Sequence, residues 1–162
     1  MKRTNASAKQ QRGAFLLEAL IGILIFSMGI LAMVGLQTLA VKASAEAKYR
    51  GDASYLANQM IGRMWATAPR DPATGNLLLV NYAHNGAANA CEGASAGPGT
   101  GDAVKAAVQQ WLDNIGNALP NATEQRQQIS IGADNLVTVS VCWQAPGAPV
   151  RNVVVTSQLR AD

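Results

Sequence analysis

Ala14 to Leu36 is a run of 23 residues containing one charge, Glu18, and one hydroxyl, Ser27. Nothing else in the chain restricts its folding as severely. At 1.5 Å per residue a helix over this run covers roughly 35 Å, enough for the ~30 Å hydrocarbon core of a bilayer. The residues before it, Met1 to Gly13, carry Lys2, Arg3, Lys9 and Arg12 and no acid. A basic flank on one side sets orientation, so the leader is expected in the cytoplasm and everything after the span is expected to be exported.

Two details set this run apart from a plain anchor. A carboxylate at the middle of a membrane helix costs about 2.5–3.5 kcal/mol, less near an end, and is normally retained for a partner. Glu18 is such a group. The second detail is Gly13-Ala14, a small-residue junction placed ahead of the apolar run. A secretory signal is cut after its apolar region, whereas here Leu36-Gln37-Thr38 continues into helical sequence.

The formal charge of +3 follows from the same leader. Beyond Gly13 the chain has nine basic and ten acidic side chains, with no Lys/Arg cluster. The basic balance is therefore no sign of a nucleic-acid surface. At 162 residues the chain is of single-domain size, and with the span set aside its core must be small.

Gln37 to Ala68 contains no proline, and Tyr49, Ala53, Leu56, Met60 and Met64 recur at helical spacing. Lys48, Asp52, Asn58, Gln59 and Arg63 lie largely elsewhere around the cylinder. One continuous helix is predicted over Ala14 to Ala68, apolar first and amphipathic afterwards, ended by Pro69 and Pro72. The stripe is read as a face packed on a small head, not as a ligand box. Gly75 to Tyr82 is read as a short edge strand. Asn85 to Gly101, rich in Gly, Ala and Ser, is read as a loop.

A second helix is predicted from an N-cap at Asp102, with Val104, Ala107, Val108, Trp111, Leu112 and Ile115 on one face and stop signals at Gly116 and Pro120. The period then changes. Gln128 to Ile131, Leu136 to Trp143 and Arg151 to Gln158 read as strands, separated by turns at 132–135 and 145–149. Val137, Val139, Val141 and Trp143 share one face of the middle strand; Thr138, Ser140 and Cys142 share the other. Three antiparallel strands bury too little alone, so the amphipathic half of the long helix is expected to supply a second layer.

The chain has two cysteines, Cys91 and Cys142. In an exported, oxidising setting a disulfide persists, and bridging this pair is worth roughly 4 kcal/mol in the loop-entropy account. The alternatives are metal ligation with His84 and a catalytic thiolate. Two cysteines and one histidine fall short of a closed zinc site, neither cysteine has a Cys-x-x-Cys neighbour, and the structural disulfide is the preferred reading. His84 is read as an ordinary exposed loop histidine. No phosphate-binding or dinucleotide glycine motif is present, so no enzyme activity, cofactor or metal is expected. Gly22, Gly29 and Gly35 suit close packing of membrane helices but equally the usual glycine content of such spans. Asn121-Ala-Thr123 fits a glycosylation triplet of a kind that arises often by chance.

Basic leader, Gly13, apolar Ala14 to Leu17, Glu18 and the long apolar helix resemble the class III signal of type IV prepilins. The resemblance extends through Gly29-Ile-Leu-Ala-Met-Val-Gly35-Leu-Gln37, Ala47-Lys-Tyr49-Arg50-Gly-Asp-Ala53 and Leu56-Ala57-Asn-Gln-Met60-Ile-Gly-Arg63-Met64. Over roughly the first 66 residues the chain is similar to minor pilins of the PilV-like kind. It departs from major pilins in lacking a mid-span proline and in placing Cys142 in a strand instead of a C-terminal loop.

The resemblance implies an α+β, type IV pilin-like fold: leader 1–13, transmembrane helix half 14–36, amphipathic periplasmic half 37–68 and globular head 69–162. It implies cleavage between Gly13 and Ala14 by a prepilin peptidase, N-methylation of Ala14, and a register-setting role for Glu18 against the Ala14 ammonium of a neighbouring subunit. The implied partners are other minor pilins, the major pilin and an inner-membrane assembly platform. The implied location is the inner membrane and then the pilus, near its tip. A pseudopilin of type II secretion shares leader, Glu18 and long helix; the longer Gly-rich head and the Tyr49 to Met64 stretch favour the pilus.

Overall fold

The computed structural model describes residues 11–86, 91 and 102–160. Leader residues 1–10 and most of the Gly-rich segment read as a loop lie outside the described residues. The first helix, α1, runs from Gln11 to Thr67. It begins three residues earlier than expected, so Gly13 lies inside it. Its end agrees with the proline signals: the amide of Ala68 still bonds to Met64 O at 2.9 Å, and Pro69 goes no further.

The chain divides into two compact units at Ser44/Ala45. Unit one holds the apolar part of α1, among the described residues the one helix long and apolar enough to cross a membrane. Every described side chain from Gly13 to Ser44 is exposed. The hydroxyls of this part are satisfied within the helix, Ser27 Oγ donating to Ile23 O at 2.7 Å and Thr38 Oγ1 to Val34 O at 3.0 Å. A hydroxyl bonded back to its own helix carries no unmet donor into an apolar medium.

Unit two is the head, with a three-stranded antiparallel sheet in the order β1 (Gln128–Ile131), β2 (Leu136–Trp143), β3 (Arg151–Gln158). These are the three predicted strands at the predicted boundaries. The register pairs Ile129 with Val139 and Val139 with Val155. The β1–β2 connection places Asp134 and Asn135 at positive φ, which short polar side chains tolerate. The β2–β3 connection has Gly147 at φ +71°, a conformation natural to glycine.

Val137, Val139, Val141 and Trp143 of β2 are fully buried and form one core with Ile129, with Ala53, Leu56, Met60 and Met64 of α1, and with α2 (Asp102–Ala118). The six apolar positions predicted for α2 are all buried. Trp111 ties the helices together, its Nε1–H donating to Leu56 O at 2.9 Å. The outcome is the expected α+β, type IV pilin-like arrangement, a long N-terminal helix packed through its later half on a small antiparallel sheet.

Two expectations are corrected. Gly75 to Tyr82 is not an edge strand. Asp71 Oδ1 accepts from the amides of Ala73 and Thr74, Gly75 turns the chain at φ +71°, and Leu79–Tyr82 forms a single 3-10 turn. Leu79 and Tyr82 are buried while Val80 faces out, a spacing of three that matches 3-10 geometry and not the alternation of a strand. The second correction concerns α2, which starts with Asp102 inside the helix and passes through Gly116 before ending at Ala118.

The two edges of the sheet differ. Along β1, His84 and Ile129 exchange both backbone hydrogen bonds, at 3.0 and 2.8 Å. Along β3, no described residue pairs beyond it.

Candidate functional site

The sequence directs attention first to Gly13, Ala14 and Glu18. All three are exposed residues of α1, and a Cβ built on Gly13 meets nothing within 4 Å. No packing among the described residues therefore calls for glycine there. Glu18 has no hydrogen-bonding or ionic partner among the described residues. It stands on a helical surface with Phe15, Leu17 and Ile21, each at least half exposed. A carboxylate so surrounded is stable in water but costs several kcal/mol in hydrocarbon unless a cation meets it.

In the head, Cys91 and Cys142 form the expected disulfide, spanning 51 residues, with a Cα–Cα distance of 5.6 Å. Both sulfurs are thereby committed, so neither serves as a thiolate nucleophile or a metal ligand. Among the described residues no group of three or more His, Cys, Asp or Glu is assembled.

The setting of Cys142 has a feature the sequence did not announce. Continuing the β1–β2 register would pair Cys142 with Arg126, but β1 starts only at Gln128 and residues 124–126 form a 3-10 turn. The side chain of Gln127 fills the gap. Its Oε1 accepts from the Cys142 amide at 2.8 Å and its Nε2 donates to Cys142 O at 3.0 Å. The same Nε2 donates to Thr123 O at 2.9 Å. One carboxamide thus imitates a strand backbone where the strand is missing, and it is completely buried. A glutamine just before a strand carries no signal that distinguishes it from its neighbours Gln125 and Gln128.

His84 is also corrected: it is buried, not exposed. Its Nε2 lies 3.1 Å from Glu124 O, and Asn85 Nδ2 donates to Gln127 O at 2.9 Å and Gln125 O at 3.2 Å. Asn85 adopts φ 51°, which orients this amide inward. The pair fastens the chain leading toward Cys91 to the 3-10 turn at 124–126. Asn121 of the Asn-Ala-Thr triplet is exposed, with its Nδ2 donating to Gln144 Oε1 at 3.2 Å.

The arrangement accordingly offers two things: an apolar, singly charged helical surface that no other described residue covers, and a disulfide-linked head. Comparison with protein-family models, with curated proteins and with solved structures finds no match to this chain.

Proposed function

We propose that this chain is a minor subunit of a type IV pilus, with a structural and not an enzymatic role. The reading is supported above all by the apolar surface of α1, exposed among the described residues, whose one charge, Glu18, has no partner among them. Cleavage between Gly13 and Ala14 by a prepilin peptidase creates a new amine, which remains cationic after N-methylation of Ala14. In lipid, Glu18 of one subunit and the Ala14 ammonium of the next relieve each other's desolvation, and the pair fixes axial register. Repeated contacts of this head-to-tail kind do not close and generate a helical fibre.

The subunit resides in the inner membrane with its head in the periplasm, then enters the pilus near the tip. There it joins the major pilin and other minor pilins, helps prime assembly at the membrane platform, and supports motility and attachment. The direct test is the intact mass of protein extracted from membranes of peptidase-competent cells. A chain beginning at methylated Ala14 supports the reading. One that keeps Lys2 to Arg12 refutes it. Deletion separates the nearest rival: loss of surface pili with exoprotein secretion intact supports a pilin, and the reverse result assigns the chain to a type II secretion pseudopilus.

A further inference from the structure

A polar groove lies between the head half of α1 and α2. It holds about 110 Å³ and is lined by Gln59, Met60, Arg63, Gln110, Trp111 and Asn114. Met60 and Trp111 are buried and make its apolar wall. Arg63 is half-buried, and its Nη1 donates to Gln110 Oε1 at 3.0 Å and to Ala107 O at 3.5 Å. Those bonds employ one nitrogen of the guanidinium and leave Nε–H and Nη2 without partners among the described residues. Nε–H and Nη2–H form one edge of the planar group, the fork that grips a carboxylate through two parallel hydrogen bonds.

Among the described residues no acidic oxygen lies within 4.0 Å of Arg63. The remaining polar lining is carboxamide: Gln59, Gln110 and Asn114. Because Gln110 gives its oxygen to Arg63, its NH2 is left as a further donor. The groove therefore combines one oriented cation, several neutral donors and an apolar wall, and the described residues supply no counter-charge.

We propose that this groove receives the carboxylate of an Asp or Glu side chain belonging to a neighbouring polypeptide. The single free fork of N–H donors matches one carboxylate in geometry. A phosphate group is ordinarily held by several cations or by converging backbone amides at a helix start; here there is one cation, and the α2 residues at the groove lie inside the helix. A side chain delivered by a folded partner has the further advantage over a free acid that its tethering lowers the entropic cost of capture. The inference rests on the geometry of the head and not on the filament reading, so either can fail without the other.

The test uses the full chain in detergent micelles and follows the arginine Nε–Hε resonances by NMR. The Arg63 signal is identified by its loss in Arg63→Gln. The probes are acetyl-Gly-Gly-Glu-Gly-Gly-amide, the same peptide with Gln for Glu, acetate, and inorganic phosphate. The Glu peptide should shift the Arg63 resonance and bind about fivefold more tightly than acetate, because its methylenes cover the Met60 and Trp111 wall and its flanking carbonyls can accept from the carboxamide donors of Gln59, Gln110 and Asn114. The Gln peptide should leave the signal in place. Arg63→Lys, a point charge without the fork, carries no Nε–Hε signal and is followed in parallel with the parent through the Gln110 side-chain amide resonances; it should bind the Glu peptide several-fold more weakly while the Trp111 indole signal keeps its folded position. Equal shifts from Glu and Gln peptides, or none from the Glu peptide, overturn the proposal. Acetate matching the peptide, or phosphate binding tighter than either, overturns the polypeptide carboxylate as the occupant. Should Arg63→Gln fail to fold, backbone-based assignment and the wild-type comparison of Glu and Gln peptides decide the matter alone.

Discussion

Replacing Gln127 by leucine tests how far a single carboxamide holds the head together. The side chain is buried, of similar volume to leucine, and meets Cys142 twice and Thr123 once. The substitution preserves packing and removes three hydrogen bonds, abandoning the Cys142 N–H and depriving Cys142 O of this bond, while Thr123 O keeps the Arg126 amide at 3.1 Å. An abandoned buried donor costs about 1–3 kcal/mol, and a carbonyl with other access to partners costs less. The sum expected for Gln127→Leu is a loss of about 2–4 kcal/mol. For a domain of this size that lowers the melting temperature by about 8–15 °C. Gln125→Leu, at an exposed position two residues away, is the control and should stay within about 0.5 kcal/mol. Thermal unfolding of the full chain in detergent, followed by near-ultraviolet circular dichroism, reads the packing around Trp111 and Trp143. If Gln127→Leu melts within a degree or two of the parent, the carboxamide is not substituting for a strand and the account of Cys142 is wrong.

Three further outcomes follow from other parts of the molecule. Cys91→Ser together with Cys142→Ser releases a 51-residue loop and should lower stability by about 4 kcal/mol, read as an earlier denaturant midpoint that added reductant reproduces in the parent protein. Val139→Ala, at a fully buried position in the core shared with α1 and α2, should cost about 2–3 kcal/mol by loss of packing, whereas Val154→Ala, at an exposed position of β3, should change the midpoint by less than about 0.5 kcal/mol. Glu18→Ala should insert in the membrane as well as the parent but be depleted in sheared fibres, and undiminished recovery there would remove the proposed charge pairing.

What could be read from the residues alone was whatever has a strong period. The strands were legible because β-branched residues alternate between turn signals: Val137, Val139 and Val141 face the core, and Gly132 to Asn135 and Ala145 to Pro149 bracket the middle strand. The buried face of α2 and the stripe from Ala53 to Met64 were legible for the same reason. Leu77-Leu-Leu-Val80 misled because a four-residue apolar run fits a strand and a 3-10 turn equally. The choice between them was made by Asp71 and Gly75, whose turn comes just before it. His84 and Gln127 were illegible on physical grounds. Each is a solitary polar residue whose role depends on backbone groups brought to it by tertiary folding, Glu124 O in one case and Cys142 in the other. The groove at Arg63 was half visible: the sequence set Arg63 and Gln59 off the buried stripe, but only the packing of α2 brings Gln110 and Asn114 alongside them.

The unlike borders of the sheet carry a consequence for handling and engineering. His84 stoppers one border by trading both its main-chain bonds with Ile129, so among the described residues the border left open to an added ribbon of chain is Arg151 to Gln158. That border contains no proline and a single charge, Arg151, few of the safeguards that usually discourage sideways growth. With α1 covered by detergent, a concentrated preparation should therefore clump by that route. A lysine placed at Thr156, which faces solvent, would guard it without touching the core.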